Sequence, residues 1–187
     1  MYGMATDQEA RMTNKILSQD RINVYEFSYI RDADLQRLLA SFEEISWVER
    51  INGFKEGVIK TTNFKNLNLE NRRLYVSYIS EINSYLHDND LFFVFPIENV
   101  FLKIIPETLY SQEFLNPGLT DTISIIYVVN SNHSDATITF LNKDISIPLS
   151  KGNLIIFPSG EEYKYKISEV SSGELIVGVS YVEVKSD

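Results

Sequence analysis

The tightest constraint on this chain lies in its last third, where short apolar runs rich in β-branched residues follow one another with only turn formers between them. Ser124-Ile-Ile-Tyr-Val-Val-Asn130 and Lys151-Gly-Asn-Leu-Ile-Ile-Phe-Pro158 are apolar at consecutive positions, the pattern of strands buried on both faces. Thr137 to Leu141 and Ile145 to Pro148 supply two strands between them. Tyr163-Lys-Tyr-Lys-Ile167 and Leu175-Ile-Val-Gly-Val-Ser-Tyr181 add two more, separated by the turn former Ser171-Ser172-Gly173. Six strands in fewer than sixty residues leave no room for the helical crossovers of a parallel sheet. The spacing predicts an antiparallel sandwich or jelly roll.

The first half of the chain predicts a supporting layer. Residues 1–20 are polar and lack an amphipathic stripe, so they read as a loosely held arm. Ile22, Val24 and Phe27, with Tyr25 and Tyr29, read as a strand. Arg31-Asp-Ala-Asp34 has the acidic first turn of a helix, and Leu35, Leu38, Leu39, Phe42 and Ile45 mark one face of it over about 32–46. A loop or hairpin follows, carrying Asn52-Gly53 and Glu56-Gly57. Leu74, Tyr75, Tyr78, Ile79, Ile82, Tyr85 and Leu86 then form an aromatic stripe at helical spacing, which predicts a second helix over about 70–87 with that face in the core. Leu91-Phe-Phe-Val-Phe95 and Phe101-Leu-Lys-Ile-Ile105 read as strands, closed by Pro96 and Pro106. The whole reads as a mainly β (α+β) chain with a single domain over 21–187.

Charge and residue scarcity limit what such a domain does. A net charge of −9 opposes binding to nucleic-acid phosphates and to anionic membrane surfaces, so neither is expected as a partner. No stretch has the apolar length of a membrane helix or the core of a secretory leader, which predicts a soluble, cytoplasmic protein. With two histidines and no cysteine, imidazole-rich and thiolate metal sites are nearly excluded. There is no G-x-S-x-G elbow, no phosphate-cradling glycine loop and no Ser-His-Asp set. Glu43-Glu44 and Glu161-Glu162 are paired only by adjacency, and adjacent side chains point apart.

The order Tyr127-Val-Val-Asn130, Thr137-Ile-Thr-Phe140, Lys151-Gly152 to Phe157-Pro158 and Ile167 to Ser172-Gly173-Glu174 resembles the double-stranded β-helix of prolyl-4-hydroxylase-like oxygenases. Those enzymes use Fe(II) and 2-oxoglutarate. The resemblance implies a jelly roll with N-terminal supporting helices and covers residues 22–182. It also implies a site: a 2-His-1-carboxylate triad that holds iron with open positions for cosubstrate and O₂, and an arginine that grips the far carboxylate of 2-oxoglutarate.

Carried onto this chain position by position, the resemblance gives no familiar ligand. Its H-x-D motif falls at Tyr110-Ser-Gln112. The H-x-V-x-x-V-x-S-G-x-R pattern falls on Tyr165-Lys-Ile-Ser-Glu-Val-Ser-Ser-Gly-Glu-Leu175, so that Tyr165 replaces the distal histidine and Leu175 the arginine. The implied reading is a degenerate pocket of Tyr110, Gln112, Tyr127, Tyr165 and Leu175, with no metal and no cofactor. A literal H-x-D at His133-Ser-Asp135 sits on the other side of the reference strand, and a triad built on it has to recruit His87.

The leading expectation is therefore a noncatalytic oxygenase-fold protein acting in structure or protein interaction, with a protein partner or self-association. The resemblance extends to short acidic chains of tailed phages, which implies a virion or assembly role. Two alternatives stand beside it: an active Fe(II)/2-oxoglutarate hydroxylase using His133, Asp135 and His87, and a sugar-binding jelly roll with an open mouth near Tyr127 and Tyr165.

Overall fold

The computed structural model describes residues 13–27, 40, 48–50, 59–63, 81–104, 113–114, 121–131, 136–168 and 170–186. They form strands β1 (Thr13–Gln19), β2 (Ile22–Phe27), β3 (Val48–Arg50), β4 (Ile59–Asn63), β5 (Leu91–Ile104) and β6 (Glu113–Phe114). After these come β7 (Thr122–Ser131), β8 (Thr137–Phe140), β9 (Ile145–Pro148), β10 (Asn153–Pro158), β11 (Tyr165–Ile167) and β12 (Leu175–Ser186). A helix, α1, spans 81–88 and matches the end of the second predicted helix. Residue 40 is also helical; the remainder of the predicted helix over 32–46, and residues 70–80 of the second, lie outside the described residues.

The strands build two antiparallel sheets. The larger has the order β1-β2-β10-β7-β12-β5-β4-β3, the smaller β6-β11-β8-β9. Ile126, Val128, Ile155, Phe157, Leu175 and Val177 of the large sheet meet Ile138, Phe140, Ile145, Ile147, Tyr165 and Ile167 of the small one in a single buried cluster. On the other face of the large sheet, Ile123, Ile125, Tyr127, Val129, Leu154 and Ile156 pack with Ile82, Tyr85 and Leu86 of α1. The large sheet is thus covered on both sides, which is why β7 and β10 are apolar at successive positions. Among the described residues the small sheet is covered on one side, so β9 alternates buried and exposed along Ile145–Pro148.

Three elements differ from the sequence reading. Residues 13–19 are not part of a loose arm but an edge strand, paired with β2 from Gln19↔Ile22 to Thr13↔Phe27. The turn between them is two residues, Asp20 and Arg21, at φ 50° and 62°. That is the doubly left-handed hairpin turn usually made with Asn-Gly or Asp-Gly, and without a glycine it gives no sequence signal. The strands predicted at 91–95 and 101–105 are one strand, because β12 pairs with β5 along its full length. Pro96 is accommodated beside a register shift opposite Tyr181 and Val182. Finally, β12 continues past Tyr181 to Ser186.

Candidate functional site

Gly160 sets the entrance to the candidate site. Its φ of 124° and ψ of 173° turn the chain out of β10 and into a 3-10 turn at Glu161–Tyr163, and that backbone region is open essentially to glycine alone. The chain then re-enters the small sheet with Tyr165 as the first residue of β11, paired with Phe140 on one side. The Tyr165 ring is 1% exposed. It stands edge-on to Phe157 with centroids 5.4 Å apart and tilted against Phe140 at 6.1 Å. Phe140 and Phe157 are themselves edge to face at 4.8 Å. Three aromatic rings therefore close on one another where the resemblance expects a metal-binding imidazole.

Leu175 opens β12 and is fully buried in the same cluster. Its approach is fixed by the Asn130 side-chain amide, which donates to the Glu174 carboxylate at 3.1 Å and holds the preceding turn to the end of β7. Tyr127 is corrected as a pocket position. It is 7% exposed and packs with α1, on the opposite face of the large sheet from Tyr165 and Leu175. Strand parity is the reason, since Ile126 and Val128 are the residues of that stretch that face the small sheet.

The backbone pairing of β11 with β6 sets Phe114 across from Tyr165. Tyr110, Gln112, His133 and Asp135 lie outside the described residues. His87 ends α1 with its side chain 92% exposed, its Nδ1 3.9 Å from the Asp88 carboxylate. Among the described residues, no three histidine, cysteine, aspartate or glutamate side chains gather as a metal site.

Electrostatic work is concentrated around the β1–β2 turn, on side chains to which the sequence reading gave no functional role. Tyr163 donates its hydroxyl to the Asp20 carbonyl at 3.1 Å, and Tyr85 donates to the Arg21 carbonyl at 2.9 Å. The two phenols thus hold both residues of the strained β1–β2 turn. Lys143 pairs with Glu162, lies 4.0 Å from Asp20 and sits over the Tyr163 ring at 4.9 Å. Its hydrogen bond to Glu162 raises the lysine above its ordinary pKa. Burial pushes Tyr85, Tyr25 and Tyr163 upward as well. No sequence motif marks these groups, because they come from separate elements of the chain.

No family model matches the chain, and no curated protein matches it in sequence. Solved structures do. A viral collagen prolyl hydroxylase from Paramecium bursaria Chlorella virus-1, in complex with 2-oxoglutarate, superposes with a TM-score of 0.58 at 13% identity, covering 89% of this chain and 97% of its own. A Pseudomonas putida prolyl-4-hydroxylase gives 0.63 at 11% identity, with 87% and 92% covered. HygX from Streptomyces hygroscopicus, with nickel and 2-oxoglutarate bound, gives 0.63 at 9% identity, with 87% and 82% covered. The chain therefore has the fold of the prolyl-4-hydroxylase-like 2-oxoglutarate oxygenases, the family its sequence resembles.

This likeness corrects the expectation that the chain takes no cofactor. Two of the three neighbours hold 2-oxoglutarate, one of them with a metal, so these are groups that proteins of this fold bind. Unfamiliar side chains at positions matched along the sequence are not a ground for excluding them. The described residues at two of those positions do not fit a usual grip, however. A packed phenol stands at 165 and an uncharged leucine at 175, and no chemical step is derived through either group.

Proposed function

We propose that the chain uses the oxygenase fold to bind a protein partner, in a structural or assembly role, rather than to hydroxylate one. One observation carries this reading: the ring at 165 closes a three-ring cluster with Phe140 and Phe157 in a buried core that runs through to Leu175. A ring buried in this way is a stabilising element, and exchanging it for an open coordination site would leave a cavity. Fold alone does not assign chemistry, so this side-chain arrangement outweighs the activity of the neighbours.

A second reading is a 2-oxoglutarate-dependent hydroxylase with Fe(II) and 2-oxoglutarate as its cofactors, favoured by the two neighbours that hold 2-oxoglutarate. It would draw ligands from His133 and Asp135, and from His87 if that residue is recruited.

The two readings part in an assay for succinate release from 2-oxoglutarate with Fe(II), run beside a thermal melt with Mn(II) and an unreactive 2-oxoglutarate analogue. Ligands at about 100 times their Kd stabilise by roughly 2.7 kcal/mol. The binding reading expects no succinate, with or without a thermal shift. Succinate release, together with a shift that needs both additives and disappears in His133→Ala, replaces it with the hydroxylase.

A further inference from the structure

We infer that the end of the β5–β12 ribbon around Phe92 and Phe93 docks a segment of a partner protein that presents apolar side chains flanked by lysine or arginine. This deepens the binding reading above and rests on it. Phe92 and Phe93 are 55% and 52% exposed. They are neighbours on one strand, so their rings leave opposite faces of the ribbon, Phe93 on the face of its buried partner Val184 and Phe92 on the other, and each ring stays half exposed. The other large exposed apolar side chains among the described residues, Ile16 and Leu141, are isolated. Adjacent exposed aromatics are the kind of surface that partners bury.

The surrounding charge selects the partner. Asp90, exposed, lies in the turn that leads into β5. Asp121, also exposed, accepts the Val184 N–H at its carbonyl at 2.8 Å, and Val184 is the register partner of Phe93. Glu183 is next along β12, and Lys185, opposite Phe92, is the basic residue of the ribbon end. On a chain of net charge −9, this aromatic pair with acids beside it favours a cationic flank.

A second copy of the chain is disfavoured on two counts. It would bring the same acids face to face, and the long sheet edges are guarded against strand addition. β1, at one edge, has a register shift between Lys15 and Leu17, and the part of β5 that precedes its pairing with β4 at Val100 has two, opposite Tyr181/Val182 and Glu183/Val184, with Pro96 at one of them. Bulges and proline are the usual defences of an edge.

The test is fluorescence anisotropy of the full chain with a labelled synthetic peptide, a leucine-phenylalanine core flanked by lysines, against the same core flanked by glutamates. The expected result is at least tenfold tighter binding of the lysine-flanked peptide. That binding should weaken with salt, be lost in the Phe92→Ser/Phe93→Ser double variant and be reduced in Asp90→Asn/Asp121→Asn. Asparagine is chosen because it tolerates the left-handed backbone at both positions. Both rings are exposed, so an unchanged melt of the double variant shows that it folds. Equal affinity for the two peptides, no binding of either, binding retained by the double variant, or a concentration-dependent dimer abolished by that variant each overturns the proposal. Failure here without succinate release removes the docking site alone, whereas succinate release removes the reading beneath it.

Discussion

Tyr165 is the residue on which most of the functional argument turns, and its role can be measured directly. Its ring is 1% exposed and contacts two other rings, so Tyr165→Ala should cost about 3–5 kcal/mol, the range for deleting a buried aromatic. Tyr165→Phe keeps the ring and should cost about 1 kcal/mol or less. Urea midpoints of the two variants check this; a small loss in the alanine variant would mean that the ring is not core and that the site is open. The sequence reading linked Tyr165 and Leu175 through the Ser-Gly turn between them, and both lie in one buried cluster. Tyr127 was assigned to the wrong face because a strand buried on both sides carries no alternation from which to read parity.

At the scale of elements, the reversal from β10 into β11 is the most position-dependent step. Nothing lies within 4 Å of where a Cβ would stand at Gly160, whose φ is 124°. Gly160→Ala should therefore meet no clash, and its loss of about 1–3 kcal/mol should come from backbone strain alone. Equilibrium unfolding checks the size, and a neutral result would show that the turn relaxes to another conformation. The β1–β2 hairpin illustrates the opposite case. Asp20 and Arg21 carry a left-handed turn because phenols from two distant elements hold their carbonyls. A local reading of residues 1–20 finds only polarity, since the forces that fix this turn act across more than sixty residues of sequence.

For the whole molecule, the phenols make an alkaline limit on stability. Tyr25, Tyr85 and Tyr163, all raised chiefly by burial, fold in the protonated form, while in the unfolded chain they titrate near 10. Each contributes stability that is fully present below about pH 10 and is lost as pH rises through its folded value. Urea midpoints should hold steady up to about pH 9.5 and fall above about 10. Tyr85→Phe should lose about 1 kcal/mol at neutral pH, from its bond to the Arg21 carbonyl, and should fall less steeply above pH 10. An equal slope in the variant would sink the assignment. Among the described residues no helix is long and apolar enough to cross a membrane.

The sequence by itself determined the antiparallel β character, the density of strands after Ser124 and the likeness to the fold family. These follow from local side-chain chemistry, in which apolar period and turn formers are written residue by residue. Only the tertiary structure decided that residues 13–19 join the large sheet, that β5 is one strand, that Tyr127 turns its back on Tyr165, and that two phenols fasten the first hairpin. Those outcomes depend on pairing register and long-range hydrogen bonds, and neither has a period along the chain.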